Sequence, residues 1–265
     1  MSIGLIAGSG TLPDTFRKEA VKKGKKVFTV GIEGITEIET EEKIPAGNVS
    51  KIIEVLRKRN VREVVMLGKF EHKLIYMELL NADKKLTSIL ESQKTKKPAD
   101  IINGFISYME SEGFIFIDPK PFLSSIISDK GLMNRVSPSE EALKDAEFGF
   151  PIAKKVADMD VGQTIVVKDK AVVAVEAMEG TQRAIERAGS IAGKGCRVIK
   201  VGRSNQDFRI DVPTVGVETI EIMKSIGADS LFIEAESVYM VDKEDMLRLA
   251  DEYNISVYGI NDKIC

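Results

Sequence analysis

Residues 3–13 read Ile-Gly-Leu-Ile-Ala-Gly-Ser-Gly-Thr-Leu-Pro, and this stretch decides the fold of the first part of the chain. The apolar run Ile3 to Ala7 predicts a strand, and the Gly8-Ser9-Gly10 that follows it predicts a tight turn. A helix is predicted next, because apolar residues recur at four-residue spacing at Leu12, Phe16 and Ala20. With a further apolar run at Val27 to Val30, the chain opens as a βαβ unit.

Helical and strand-like patterns continue to alternate downstream, which predicts an α/β protein with a Rossmann-like, mostly parallel sheet in its first domain. Residues 71 to 112 are polar and weakly periodic, and we interpret them as mainly helical. The glycine, proline and serine residues of 128 to 139 favour a linker, so we expect domains at 1–136 and 137–265. The second domain is predicted to be mixed α/β, beginning with an antiparallel hairpin over residues 163 to 175.

The bulk properties exclude several classes of protein. The 38 basic and 41 acidic residues leave a formal charge of −3, so no global field attracts nucleic acid. Two cysteines, Cys196 and Cys265, are too few for a metal-ligand set or a disulfide framework and favour a reducing cytoplasm. No stretch approaches the roughly 18 apolar residues that a membrane span requires, and no secretory leader pattern is present.

The turn Gly8-Ser9-Gly10 is the first candidate binding site. Such a turn places backbone N–H groups and a helix N-terminus where a phosphate can bind. The dinucleotide fingerprint needs a third glycine where Pro13 stands, although Glu33 lies near the position expected for a ribose-binding acid. A tight βα turn that merely requires small residues explains the pattern equally well.

The single histidine, His72, excludes a histidine-rich metal site. A Ser-His-Asp triad would depend on this one residue, and the sequence has no nucleophile-elbow pattern. Carboxylates are the better candidates. In Asp207-Phe208-Arg209-Ile210-Asp211-Val212 polar and apolar residues alternate, so an extended strand would place Asp207, Arg209 and Asp211 on one face. Two acids beside a guanidinium suit Mg²⁺ and phosphate together, but an ordinary half-buried strand with a solvated polar face gives the same pattern.

A second acidic group follows the predicted strand Ala171 to Val175. Glu176 and Glu179 precede Gly180-Thr181 at the predicted start of a helix, a common position for ligand sites. Solvated loop acids with Thr181 as a simple N-cap are an equal alternative. Lys200, at the end of a further predicted strand, is either a phosphate clamp or a surface lysine.

Four blocks of sequence, in this order, also resemble the LpxI-type UDP-2,3-diacylglucosamine pyrophosphatases of lipid A biosynthesis. They are GLIAGSGTLP at 4–13, DVGQTIVV at 160–167, VVAVEAMEGT at 172–181 and QDFRIDVPTVG at 206–216. The sequence departs from the family pattern at Gln182, where an acid is usual, at Arg203-Ser204, where Lys-Pro is common, and around residues 81–86.

The resemblance implies a cytoplasmic hydrolase that releases UMP and 2,3-diacylglucosamine 1-phosphate with Mg²⁺ or Mn²⁺ as cofactor. It implies Asp211 as the essential residue. We expect Asp211, with Asp207 or Glu176, to bind the metal, and Arg209 and Lys200 to act as further catalytic groups that offset charge on the non-bridging oxygens. The expected substrate-binding residues are Gly8, Ser9, Gly10, Leu12, Pro13, Glu179, Thr181, Gln206 and Thr214.

We expect a lipid-linked nucleotide sugar as partner, no nucleic acid, peripheral contact with the inner membrane, and a homodimer. Two other classes stay open at this point. One is a Rossmann-type enzyme that uses NAD or a nucleotide sugar, and the other is a non-catalytic nucleotide-binding module.

Overall fold

The computed structural model describes residues 2–70, 83–92, 98–210 and 212–261. The chain divides into two compact units, which confirms the two-domain α/β class. Unit 1 contains residues 1–124 together with 207–212, and unit 2 contains residues 125–206 and 213–265. None of the helices among the described residues is long and apolar enough to cross a lipid bilayer.

Unit 1 is built on a parallel sheet. Its described elements are β1 (Ser2–Ala7), α1 (Leu12–Lys22), β2 (Lys26–Ile32), β3 (Glu42–Ile44), α2 (Val49–Lys58), β4 (Glu63–Leu67), α3 (Lys84–Ser92), α4 (Pro98–Ser111) and β5 (Ile115–Phe116). The strand order is β3-β2-β1-β4-β5, and every pairing is parallel. This is the Rossmann-like sheet that the sequence predicts.

The central strands of unit 1 are buried over nearly their whole length, as expected for a parallel sheet covered by helices on both faces. Helix α2 contributes Ile52, Ile53 and Leu56 to the same core. The edge strand β3 was not predicted, because a three-residue strand with two exposed charged residues has no recognisable apolar pattern. The described parts of residues 71–112 are helical as expected, whereas His72 lies outside the described residues.

Unit 2 is built on a mixed sheet. Its elements are β6 (Gly131–Leu132), α5 (Glu140–Asp158), β7 (Thr164–Lys168), β8 (Ala171–Val175), α6 (Thr181–Ala192), β9 (Arg197–Lys200), β10 (Thr214–Val215), α7 (Val217–Ile226), β11 (Ser230–Glu234), β12 (Tyr239–Met240), α8 (Lys243–Glu252) and β13 (Ser256–Ile260). The main sheet has the order β6-β13-β11-β9-β7-β8, and β10 pairs with β12 separately. Strands β9, β11 and β13 are parallel, and β7 and β8 form the predicted antiparallel hairpin.

The boundary between the units lies at Ser124/Ser125, earlier than the 136/137 boundary predicted from the sequence. The stretch 128–134 is part of the second unit rather than a linker. Its strand β6 pairs with β13, and the Asn134 side-chain amide donates to the Ile255 carbonyl at 2.9 Å while its oxygen accepts from the Val257 N–H at 2.9 Å. The glycine and serine content of this stretch predicted a linker. The residues that bond to its backbone and side chains are more than 100 positions away in the sequence, so local composition could not reveal them.

Candidate functional site

The glycine turn of unit 1 lies where the strand order of the sheet reverses, because β2 and β4 flank β1 on opposite sides. Ligands of open α/β sheets bind at the carboxyl ends of the strands at such a point. Here the turn after β1 and the turn after β4 are in direct backbone contact. A Cβ atom on Gly8 would lie 2.6 Å from the Lys69 carbonyl oxygen, and one on Gly68 would lie 2.8 Å from the Gly8 carbonyl carbon. Both glycines are therefore required for packing.

This contact also occupies the first donors of the turn. The Gly8 N–H donates to the Leu67 carbonyl at 2.8 Å, and the Ser9 N–H donates to the Lys69 carbonyl at 3.0 Å. A phosphate at this turn would have to be bound from Gly10 onward, where the backbone is left-handed with φ +86° and helix α1 begins. Leu12 and Pro13, the other predicted binding residues here, are buried in unit 1.

In unit 2, the carboxyl edge of the main sheet brings together polar side chains that are distant in sequence. Glu176 follows the end of β8, Lys200 ends β9, and Thr164 begins β7, which runs in the opposite direction. Thr181 begins α6 beside them. We call Thr164, Glu176, Thr181 and Lys200 the edge cluster.

Hydrogen bonds connect the members of the edge cluster. The Lys200 Nζ donates to Thr181 Oγ1 at 2.8 Å and lies 3.4 Å from Glu176 Oε2. The Thr181 hydroxyl donates to Glu176 Oε1 at 2.8 Å, and the Gln163 N–H donates to Glu176 Oε2 at 3.2 Å. The Lys200 side chain is only 7% exposed and that of Glu176 is 13% exposed, so Lys200 is not the solvated surface lysine of the alternative interpretation.

Burial by itself would raise the pKa of Glu176. The Lys200 ammonium group and hydrogen bonds from Thr164, Thr181 and the Gln163 N–H outweigh that effect and hold the pKa below its usual range. Glu176 is therefore an anion beside a buried cation at neutral pH. The edge cluster pairs one negative and one positive group.

Helix α6 adds an electropositive end to the edge cluster. Its N-cap is Gly180, which has no side chain to cap the helix, and no acid lies in its first turn. The partial positive charge and free donors of a helix start favour an anion. Lys200, the Thr181 hydroxyl and this helix start together form an arrangement suited to a phosphate group.

Three other predicted binding residues of unit 2 are not part of the edge cluster. Glu179 pairs with the Arg187 guanidinium instead. Gln206 accepts the Arg203 N–H at 3.1 Å through its side-chain oxygen, and Thr214 starts the short strand β10. Nothing in these contacts assigns them to a ligand.

The segment from Asp207 is a turn and not the extended strand predicted from its alternating pattern. The Ile210 N–H donates to the Asp207 carbonyl at 3.1 Å, and the Arg209 N–H donates to Asp207 Oδ1 at 3.0 Å. The Asp207 carboxylate binds a backbone N–H two residues ahead, and such local hydrogen bonds of aspartate favour a turn over a strand. Ile210 packs against the core of unit 1, and the Lys120 Nζ lies 5.1 Å from the centre of the Phe208 ring.

The turn directs Arg209 onto Asp207. Arg209 Nη2 lies 2.7 Å from Asp207 Oδ2, and Nε lies 3.0 Å from Oδ1. These hydrogen bonds lower the pKa of Asp207 and raise the pKa of Arg209. Asp211, the residue predicted to be essential, lies outside the described residues.

Asp207 and Glu176, the two predicted metal ligands among the described residues, do not by themselves fit a divalent metal. Both oxygens of Asp207 are held by Arg209, and Glu176 is held by Lys200 and Thr181. Within residues 2–70, 83–92, 98–210 and 212–261, no group of three or more histidine, cysteine, aspartate or glutamate side chains is arranged to hold one. A metal site at the predicted segment would therefore have to include Asp211.

Sequence reasoning missed two residues near the carboxyl edge of the main sheet. Lys154 on α5 forms an ion pair with Glu234 at the end of β11, with Nζ 2.9 Å from Oε1. The one local signal is the position of Glu234 directly after the apolar run Leu231 to Ile233. Lys154 belongs to no local sequence motif that could indicate this ion pair, because its partner is 80 residues away in the sequence.

Comparisons with known proteins match both units. The family described as "LpxI N-terminal domain" matches residues 2–126, and the family described as "LpxI C-terminal domain" matches residues 129–258. A relative from Caulobacter vibrioides, named "UDP-2,3-diacylglucosamine pyrophosphatase LpxI", is 25% identical over 273 residues, which cover 98% of this chain and 97% of the relative.

Among solved structures, the chain resembles the CobK precorrin-6A reductase at 9% identity and a TM-score of 0.33, with 98% of this chain and 88% of that chain covered. A biotin carboxylase complex with an ATP analogue from Campylobacter jejuni has 16% identity and a TM-score of 0.22, with 72% and 42% covered. Likenesses at such TM-scores say nothing about the function of this chain.

Proposed function

The chain belongs to the LpxI family, and from that premise we propose that it hydrolyses the pyrophosphate bond of UDP-2,3-diacylglucosamine, a step of lipid A biosynthesis. The observation that carries the proposal is the match to a pyrophosphatase over 97% of that relative's length, including both domains. The products are UMP and 2,3-diacylglucosamine 1-phosphate. Water supplies the new oxygen on one phosphorus, and the bridging oxygen leaves with the other phosphate.

The edge cluster supports a reaction at a diphosphate. Negative charge on the phosphoryl oxygens is stabilised by fixed cations and by donors held in a place of low water access. Lys200 is such a cation, because its side chain is 7% exposed and its ammonium group is fixed by Thr181 and Glu176. We assign Lys200 to the non-bridging oxygens of the diphosphate, with the N-terminus of α6 as a second anion-binding element.

The turn at Asp207 to Ile210 supports the same reaction class. Asp207 fixes the Arg209 guanidinium from one side, and guanidinium groups recognise phosphate through paired N–H donors. We assign Arg209 to phosphate charge and Asp207 to holding Arg209, which replaces the metal-ligand role expected for Asp207. Asp211, in the matching family motif, keeps its expected role as the essential residue.

The requirement for Mg²⁺ or Mn²⁺ is part of the proposal. Such an ion would neutralise phosphate charge and lower the pKa of a bound water. Because Asp207 and Glu176 are already paired with cations, this requirement depends on Asp211 and is tested directly by chelation.

The test uses the full chain with UDP-2,3-diacylglucosamine in detergent micelles and follows UMP release. Wild-type protein is assayed with EDTA, and again after Mg²⁺ or Mn²⁺ is restored. We expect turnover only with the metal, and a loss of about 10²-fold or more for Asp211→Asn, as for removal of one transition-state contact. Asp245→Asn, an exposed acid on α8, is the matched control and should keep wild-type rates.

The possible results are distinguishable. No UMP from folded wild-type protein with metal present contradicts the hydrolase assignment. Equal turnover with EDTA removes only the metal requirement. Wild-type rates in Asp211→Asn leave the reaction standing and remove Asp211 from it.

A further inference from the structure

The segment that contains Asp207, Arg209 and Asp211 leaves unit 2 after Gln206 and returns to it at Pro213. Both ends of this excursion are held within unit 2. On the returning side, the Tyr239 N–H donates to the Pro213 carbonyl at 2.9 Å, next to the pairing of β10 with β12. On the departing side, the ion pair of Lys154 and Glu234 holds the chain at Gly202.

Both polar groups of Gly202 are bonded to this ion pair. The Gly202 N–H donates to Glu234 Oε2 at 2.8 Å, and the Gly202 carbonyl accepts from Lys154 Nζ at 2.7 Å. Lys154 Nζ also lies 2.9 Å and 3.1 Å from the two Glu234 oxygens. We call Lys154, Glu234 and Gly202 the clamp.

The clamp is well protected from solvent. The side chains of Lys154 and Glu234 are 19% and 15% exposed, so their ion pair is less weakened by water than a surface pair. Gly202 lies two residues after Lys200 of the edge cluster. It also lies beside the returning chain, since a Cβ atom on Gly202 would be 3.6 Å from Pro213 Cγ. The departing and returning chains are thus fixed at one place.

We propose that Lys154 and Glu234 are positioning residues for the reaction, which hold the backbone at Gly202 and, through it, the end of β9 with Lys200 in its working geometry. The inference rests on the proposed function, because it concerns the same groups. Neither residue needs to touch substrate. A displacement of about 1 Å in such groups lowers turnover by up to about 10²-fold.

The test compares Glu234→Gln with Asp145→Asn. Asp145 accepts Arg197 Nη1 at 3.0 Å at the other end of β9, so it belongs to a buried ion pair in the same sheet that is remote from the clamp. We expect Glu234→Gln to lower kcat by about 10- to 100-fold while KM changes by less than about threefold. Asp145→Asn should lower the melting temperature and leave kcat within about twofold of wild type.

Hydrogen exchange tests the clamp without turnover. Loss of a hydrogen bond to a charged group should make the Gly202 amide exchange about 10- to 100-fold faster in Glu234→Gln, and leave it unchanged in Asp145→Asn. Lys154→Met removes the same clamp from the α5 side and replaces Glu234→Gln if that variant does not fold.

If Glu234→Gln and Lys154→Met fold and keep the wild-type kcat, the inference is overturned. It is also overturned if Asp145→Asn, at the same loss of stability, shows the same fall in kcat. Unchanged exchange at Gly202 also overturns it. An inactive wild-type protein instead contradicts the proposed function, and the exchange measurement then decides alone whether the ion pair of Lys154 and Glu234 holds the backbone at Gly202.

Discussion

Arg209 holds Asp207 from within the same four-residue turn, with Nη2 2.7 Å from Oδ2, Nε 3.0 Å from Oδ1, and its own N–H 3.0 Å from Oδ1. The carboxylate therefore fixes both the backbone and the guanidinium of Arg209. Its remaining nitrogen, Nη1, lies 3.4 Å from Glu110 Oε1. The arrangement presents a cation of fixed orientation two residues before Asp211.

Arg209→Lys should therefore lower kcat/KM although the positive charge is kept. An ammonium group cannot hold both oxygens of Asp207 in the same way, so its position is no longer fixed. We expect a fall of about 10² to 10³-fold, typical of a lost transition-state donor, measured as UMP release. Arg248→Lys, an exposed arginine that also pairs with two acids, should keep wild-type rates. Equal rates for Arg209→Lys and wild type would exclude a catalytic role for the guanidinium.

Lys200→Met should destabilise the protein markedly. It leaves the Glu176 anion buried without its cation, and breaking a buried ion pair costs about 3 to 5 kcal/mol of unfolding free energy. The double variant Lys200→Met with Glu176→Gln should recover part of this loss, since no unpaired charge remains. Urea unfolding of the single and double variants measures the effect. Additive losses would show that the two groups do not interact.

Glu176→Gln should make the free energy of unfolding depend less on pH in the acid range. The folded pKa of Glu176 lies below its unfolded value of about 4.3, so its contribution is present at neutral pH and is lost as pH falls through the folded pKa. The unfolding free energies of wild type and variant should therefore converge below about pH 4. Glu186→Gln, at an exposed position of α6, should show the same pH dependence of the unfolding free energy as the wild type. A constant difference between wild type and Glu176→Gln from pH 7 to 3 would contradict the assignment.

Gly162→Ala should disturb the edge cluster through the backbone. The added Cβ atom would lie 2.1 Å from the Glu176 carbonyl oxygen, which cannot move without shifting Glu176. We expect a loss of about 1 to 3 kcal/mol, the usual cost of overpacking, measured by thermal unfolding. The neighbouring Val161→Ala, at a side chain that is 47% exposed, should stay within about 0.5 kcal/mol. A stable Gly162→Ala would mean that this contact is not close in solution.

Much of the fold followed from local pattern. The βαβ opening and the antiparallel hairpin over residues 163 to 175 appear where the sequence predicts them. The hairpin turn residues Asp169 and Lys170, and Gly227 at the end of α7, have positive φ. These features depend on hydrophobic period and on the conformational freedom of single residues, which nearby sequence alone specifies. Asp242 stands at the N-cap of α8, a position that aspartate favours, but makes no side-chain capping hydrogen bond.

The candidate site was predicted less completely. The α/β class, the two-domain organisation and the candidates Glu176, Thr181 and Lys200 all followed from the amino-acid sequence. The meeting of these three side chains did not, because their contact depends on the order of β7, β8 and β9 in the sheet. It also replaced the predicted strand at Asp207 with a turn, since a local side-chain acceptor outcompeted the alternating pattern. The pairing of Lys154 with Glu234 could not be predicted, because the two residues are 80 positions apart in the sequence and meet only when the sheet and its covering helix are assembled.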